Sequence, residues 1–243
     1  MIYAIVGPTG VGKTNLSIKL AKKLNAEIIN CDSMQIYKEL KIGVGKITDK
    51  EKENITHHLF DVVSISEDYS VFDYQKEARK ILDSLLQQNK NIIIVGGTGL
   101  YLKALLYDYT FDKNKNGNKK LYDFKLIGLT KDRDILYQDI NKRVDSMIND
   151  GLENEVREFY NKGINSRAIT TAIGYKEFYS YFKNEITYEE TISLIKKNSR
   201  NYAKRQYTFF NNQFADIKWY NTMKLSPDEI VSDIMRDNYE DKW

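Results

Sequence analysis

The octapeptide Gly7-Pro8-Thr9-Gly10-Val11-Gly12-Lys13-Thr14 constrains this chain more than any other feature. It follows the apolar run Ile2–Val6, which reads as a buried strand. It precedes Asn15–Leu24, where Leu16, Ile18, Leu20 and Ala21 supply the inner positions of a helix. The pattern is G-x-x-x-x-G-K-[ST] in its required setting, strand before and helix after. Glycines let the backbone wrap closely, so successive N–H groups point inward at an anion. The helix N-terminus adds positive potential. Lys13 adds a point charge, and the Thr14 hydroxyl is a ligand for Mg²⁺. Gly7, Thr9, Gly10, Val11, Gly12, Lys13 and Thr14 are therefore the expected cradle for a diphosphate, with Thr14 as the metal-binding group. A glycine turn followed by a chance Lys-Thr is the plainer alternative, and the flanking elements argue against it. The motif specifies a bound di- or triphosphate but no reaction: a kinase would use it on ATP, a transferase on any pyrophosphate ester.

Two further strand ends point to the same place. Glu27–Cys31 reads as a strand running into Asp32-Ser33-Met34-Gln35, and Asn91–Val95 as a strand stopped by Gly96-Gly97-Thr98. Val71–Gln88 reads as an amphipathic helix with Ala78, Ile81, Leu82, Leu85 and Leu86 on its inner stripe. His58–Val63 is either a third strand or irregular. Strands separated by helices imply the α/β class, with a parallel P-loop NTPase-like sheet flanked by helices. In such a sheet neighbouring strands open their carboxyl ends onto one crevice, so Asp32 belongs near the phosphate loop as a base or metal partner. Its alternative role, with Ser33, is to cap a turn. Ser33 and Gln35 are suited to hydrogen-bonding a nucleobase edge. Thr98 either bonds a ligand or only caps its helix.

Beyond the polar, turn-rich Asp112–Asn118, Phe124–Leu129 is a strand candidate and the chain turns helical. Helices are expected over Asp132–Asp150, Glu153–Asn161, Ala172–Phe182 and Tyr188 to about Asn211. A last strand, Asp216–Tyr220, follows, then a helix over Ser226–Arg236 with Ser226 as N-cap and Pro227 at its first position. The expected division is an α/β core over residues 1–130, with a reduced insertion near 108–122. A helical part over 131–243 then packs on the core and completes the site.

Composition narrows the function classes. A chain of 243 residues can bury its own core without staples. The single cysteine, Cys31, excludes a disulfide framework and a Cys-rich zinc site, and suits a reducing cytoplasm. The apolar start is too short for a signal peptide or membrane span. With 18 Tyr, 10 Phe and only 2 Pro, disorder is excluded. A net charge of +3 is too mild to name a nucleic-acid binder, so distribution must decide. Lys196, Arg200 and Lys204 recur four residues apart on the long helix, widened by Lys197 and Arg205 and interleaved with Tyr202, Tyr207, Phe209 and Phe210. Such a face suits an RNA backbone with splayed bases; the alternative is a solvated face over a core. His57 and His58 have no third ligand nearby and are assigned no chemistry.

Taken together, the motifs resemble the tRNA dimethylallyltransferase (isopentenyltransferase) family. The residues that carry the resemblance are the phosphate loop, Asp-Ser-Met-Gln-Ile-Tyr at 32–37, His-His-Leu-Phe-Asp at 57–61 and Tyr-Ser-Val-Phe-Asp-Tyr at 69–74. Gly-Gly-Thr-Gly-Leu-Tyr at 96–101, Arg-Val-Asp-Ser-Met at 143–147 and Gly-Leu-Glu-Asn-Glu-Val at 151–156 continue the series. Ala-Ile-Gly-Tyr-Lys-Glu at 172–177 and Arg-Asn-Tyr-Ala-Lys-Arg-Gln at 200–206 complete it. The resemblance implies transfer of a dimethylallyl group from dimethylallyl diphosphate to N6 of the tRNA adenosine just 3′ of the anticodon. It implies Asp32 as the base, Thr98 and Arg143 as further catalytic residues, and Mg²⁺ with the diphosphate on the phosphate loop. Asp32, Ser33, Met34 and Gln35 would meet the adenine, and Lys196, Arg200, Lys204 and Arg205 the tRNA. A cytoplasmic monomer is expected.

The chain also departs from that family. Members usually carry a helical insertion after the Gly-Gly-Thr-Gly-Leu-Tyr helix that helps grip the anticodon stem. Here the chain runs from Leu106 through Asp112–Lys120 straight to Phe124, and Val44-Gly45 replaces Thr-Ala. Two alternatives stay open: an adenylate isopentenyltransferase acting on free AMP, ADP or ATP, and a P-loop small-molecule kinase. The Gly174–Glu177 and Lys204–Gln206 segments favour the tRNA enzymes.

Overall fold

The computed structural model describes residues 1–111 and 117–240. Six parallel strands form one sheet among them: β1 (Ile2–Val6), β2 (Ala26–Asn30), β3 (His57–His58), β4 (Asn91–Val95), β5 (Phe124–Thr130) and β6 (Ile217–Asn221). Their spatial order is β3-β2-β4-β1-β5-β6. The central strands are apolar on both faces because helices cover both. The helices are α1 (Lys13–Leu24), α2 (Asp49–Lys52), α3 (Val71–Gln87), α4 (Gly99–Leu106) and α5 (Arg133–Asn149). They continue with α6 (Leu152–Asn161), α7 (Arg167–Thr171), α8 (Tyr175–Phe182), α9 (Tyr188–Gln213) and α10 (Pro227–Glu240). None of the described helices is long and apolar enough to cross a membrane.

Helices α3 and α4 cover one face, where the Tyr74 and Tyr101 rings stack at 4.1 Å. Helices α1 and α10 cover the other. Helices α5 to α9 enclose a separate core built on Leu152, Val156, Tyr175, Phe178 and Ile195. Local chemistry sets the ends. Ser70 and Asp73 form a capping box for α3, and Ser226 with Glu229 forms the one that starts α10.

Two expectations need correction, and one open alternative is resolved. The helix expected over Ala172–Phe182 starts three residues later: α7, which was not expected, ends at Thr171, and α8 begins only after Gly174, whose φ is 97°. Glu177 holds that break by accepting the Gly174 N–H at 2.7 Å. Of His58–Val63 only His58 pairs with β2, because Leu59 and Asp61 adopt positive φ (62° and 56°) and end the strand. Each histidine has a partner within the protein. His57 Nδ1 lies 2.8 Å from the Ile55 carbonyl, and His58 Nε2 lies 2.7 Å from Glu27. Finally, α9 runs two residues further than expected and β6 sits one residue later. Of the loop expected over Asp112–Asn118, residues 112–116 lie outside the described residues.

Candidate active site

The carboxyl ends of β1, β2 and β4 open into one cavity of about 630 Å³. Thr9, Gly10, Gly12, Lys13 and Thr14 line one side, Asp32 to Gln35 the next, and Arg143 reaches in from α5. Strand ends place these groups together although they are far apart in sequence. Lys13 curls over its own loop, its Nζ donating to the carbonyls of Gly7 (3.0 Å) and Pro8 (2.8 Å). Burial lowers its pKa to about 8; Asp32 opposes the shift and Arg143 adds to it.

Arg143 faces the same loop. Its Nη1 donates to Thr9 Oγ1 at 2.5 Å, and its Nη2 lies 3.5 Å from the Val44 carbonyl. Burial lowers its pKa and Asp32 raises it. The fit depends on Gly45: a Cβ there would collide with the Arg143 guanidinium, and its φ of 55° is itself left-handed. The loop carrying Val44 and Gly45 is fixed from below by Glu155. That carboxylate accepts the N–H groups of Lys41 (3.4 Å), Ile42 (2.9 Å) and Gly43 (3.4 Å) as well as the Tyr175 hydroxyl. Burial first, and then Glu155, pushes the Tyr175 pKa upward.

Asp32 stands across from the two cations. Its N–H donates to Asn30 Oδ1 (2.9 Å) and its Oδ1 accepts from the Met34 N–H (3.0 Å). Among the described residues no hydrogen bond engages its Oδ2. The Ser33 N–H donates to Thr98 Oγ1 (3.0 Å), and the Thr98 hydroxyl donates to Ser33 Oγ (3.2 Å). Thr98 occupies the N-cap position of α4 but makes no side-chain cap there. Gln35 spends its amide on the Val44 carbonyl at 3.2 Å. Met34, Val44, Val144, Met147 and Ile173 add an apolar patch to a lining that also carries polar and charged groups, Lys46, Glu51 and Lys176 among them.

The structure does not bring every expected residue to this cavity. Gly7, Val11 and Thr98 stand behind its lining, and the Val11 side chain belongs to the core. The expected basic face of α9 divides. Lys196 pairs with Asp145 at 2.6 Å, and Arg200 donates to Asn141 at 2.6 Å, so both bind α5. Lys204 is exposed. Arg205 lies over the Tyr202 ring at 5.7 Å and borders both the cavity and an open groove outside it. The stripe of α9 that enters the cavity is instead Ile195, Ser199, Tyr202 and Gln206, spaced by four, three and four residues. Tyr202 stands beside Thr98 and Gln206; burial first, and then Asp32, pushes its pKa up. Gln206 and Tyr202 carry no formal charge, so charge patterning does not single them out.

Among the described residues no three His, Cys, Asp or Glu side chains cluster to hold a metal. The donors present, an exposed Thr14 hydroxyl and Asp32 across the cavity, fit an ion that is bound largely through phosphate oxygens and water.

The family model described as IPP transferase matches residues 35–122 and 110–213. The tRNA dimethylallyltransferase of Bacillus anthracis is 37% identical over 299 residues, covering 97% of this chain and 94% of that protein. That alignment is longer than the 243 residues here, so the relative carries segments with no counterpart in this chain. Among solved structures, the tRNA isopentenylpyrophosphate transferase of Staphylococcus epidermidis superposes with a TM-score of 0.91 at 32% identity. It covers 98% of this chain and 99% of that one. The full-length enzyme of Bacillus halodurans gives 0.91 at 34% identity, covering 98% and 95%. A eukaryotic dimethylallyltransferase shares the fold, with a TM-score of 0.81 at 24% identity over 90% of this chain and 73% of that one. On sequence and structure alike, the chain belongs to the IPP transferase family.

Proposed function

We propose that the chain transfers the dimethylallyl group of dimethylallyl diphosphate to the exocyclic N6 of a tRNA adenosine beside the anticodon, releasing diphosphate. The observation that carries this reading is the make-up of this cavity. Two cations and a phosphate loop stand at one end, Asp32 faces them, and an apolar patch adjoins both. The apolar patch beside the phosphate loop would take the isoprenoid tail of such a donor.

The residues divide the work. The loop amides and Lys13 bind the diphosphate, and Arg143 joins them from α5. As the bond from the isoprenoid carbon to oxygen breaks, negative charge grows on the leaving diphosphate, where Lys13 and Arg143 stabilise it. The adenine N6 forms the new bond to that carbon and sheds a proton, which Asp32 accepts at Oδ2. Thr14 would hold a Mg²⁺ ion, which would supply further neutralising charge to the diphosphate. Thr98 orders the acceptor side through Ser33.

The direct test offers dimethylallyl diphosphate with unmodified tRNA or with AMP. Isopentenyladenosine in tRNA is the expected product, and product on AMP alone would overturn the assignment of the acceptor. Transfer of the γ-phosphoryl group of ATP to an acceptor, leaving ADP, in place of diphosphate release from the donor would favour the kinase reading.

A further inference from the structure

Gln206 is only 5% exposed, yet both ends of its amide are used across the site. Its Oε1 accepts the Thr9 N–H at 2.9 Å, and its Nε2 donates to the Gly97 carbonyl at 3.0 Å. These partners lie 197 and 109 residues away in sequence and belong to different strand ends, β1 and β4. The contact is built to order: a Cβ on Gly97 would collide with Gln206 Nε2, so only glycine lets the amide approach that turn. Thr9 is thereby held twice, at its hydroxyl by Arg143 and at its N–H by Gln206. The Gly97 turn leads directly into Thr98, which holds Ser33 beside Asp32.

Resting on the transfer reading above, we infer that Gln206 is a positioning residue: it bridges the loop that grips the leaving diphosphate to the turn that orders the acceptor side. It touches no reacting atom. Its effect is on separation and orientation, and a displacement of about 1 Å at a reacting pair costs on the order of a hundredfold in rate. A buried glutamine satisfied at both ends also has no slack, because either partner left alone would be an unpaired buried polar group.

Gln206→Met keeps the volume and removes both hydrogen bonds. The expected result is a kcat about tenfold to a hundredfold lower, with the KM for dimethylallyl diphosphate and the affinity for inorganic diphosphate changed less than about threefold. The Thr9 amide should exchange with solvent faster, because it has lost its acceptor. A merely structural role would lower the melting temperature and leave kcat of the folded fraction unchanged. Gln206→Glu separates the two halves of the bridge. It still accepts from Thr9 but cannot donate to Gly97, so it should retain Thr9 protection and lose rate; it carries the test if the Met variant does not fold. Unchanged Thr9 exchange in Gln206→Met overturns the bridge whatever the transfer assay gives, and a kcat within twofold of the unmodified protein overturns the positioning role. Absence of transfer by the unmodified protein would instead remove the proposed function, and the two failures are read on different instruments.

Discussion

Helix α9 presents two surfaces that are chemically opposite. Its inner face is tied down group by group: Lys196 to Asp145, Arg200 to Asn141, and Gln206 to both Thr9 and Gly97. On its outer face Lys197, Asn201, Lys204 and Thr208 are exposed, and the last three border an open groove. A side chain with fixed partners acts through geometry, whereas a solvated cation acts through its field and is screened by salt. Changes inside the cavity should therefore appear in kcat or donor affinity, and changes outside it in the salt dependence of RNA binding.

The largest effect is expected at Asp32, opposite the inner face. Asp32→Ala should lower kcat by about 10²–10⁴, the usual range for a lost proton acceptor, while the affinity for inorganic diphosphate stays within about threefold. Full turnover in that variant would remove Asp32 as the base.

Lys13 gives the next largest effect, and one with a sign in pH. Burial first, offset by Asp32 and deepened by Arg143, holds its pKa at about 8, against 10.5 for the ordinary group. Between those values the unfolded chain binds more protons than the folded one, so this lysine makes stability rise with pH across that window. Diphosphate beside it favours the charged form, so diphosphate affinity should fall as pH rises above about 8. Lys13→Met should abolish diphosphate binding yet raise the melting temperature at pH 7. Calorimetry and diphosphate titration at several pH values check both, and a pH-independent affinity would break the assignment.

Gly45→Ala tests how tightly the inner side is fitted. The added methyl displaces Arg143 from Thr9 and imposes a strained positive φ, so kcat should fall about tenfold. Gly163→Ala is the control: it also lies at positive φ (68°) but nothing stands near its Cβ, so stability drops slightly and kcat holds.

The difference between the faces also explains what the sequence could convey. The phosphate loop, Asp32 and the Gly-Gly turn were legible because each sits at the end of an apolar strand, and a parallel sheet brings such ends together. The basic stripe divides for a geometric reason. A four-residue step on an α-helix advances about 40° beyond a full turn, so Lys196 and Lys204 are rotated by about 80° from one another. The first therefore reaches α5 while the second points to solvent. Gln206 was illegible because its significance lies in two backbone partners, Thr9 and Gly97, that only the folded sheet supplies. The break before α8 was hidden because Ala172-Ile173-Gly174 is compatible with a helix until Glu177 bonds back to the Gly174 N–H.

The smallest effect belongs to the outer face, and it is the one that defines the comparison. Lys204 is exposed and bonds no partner among the described residues, so Lys204→Ala should leave kcat and donor affinity unchanged at saturating tRNA. It should weaken tRNA binding modestly and reduce the slope of log affinity against log salt by about one, the signature of one lost phosphate contact. Lys196→Ala, which removes a cation already paired with Asp145, should leave that slope where it was. If both variants shift the slope equally, α9 does not divide into a positioning face and an electrostatic face. If only Lys204 does, the acceptor approaches along the groove that Arg205 joins to the cavity.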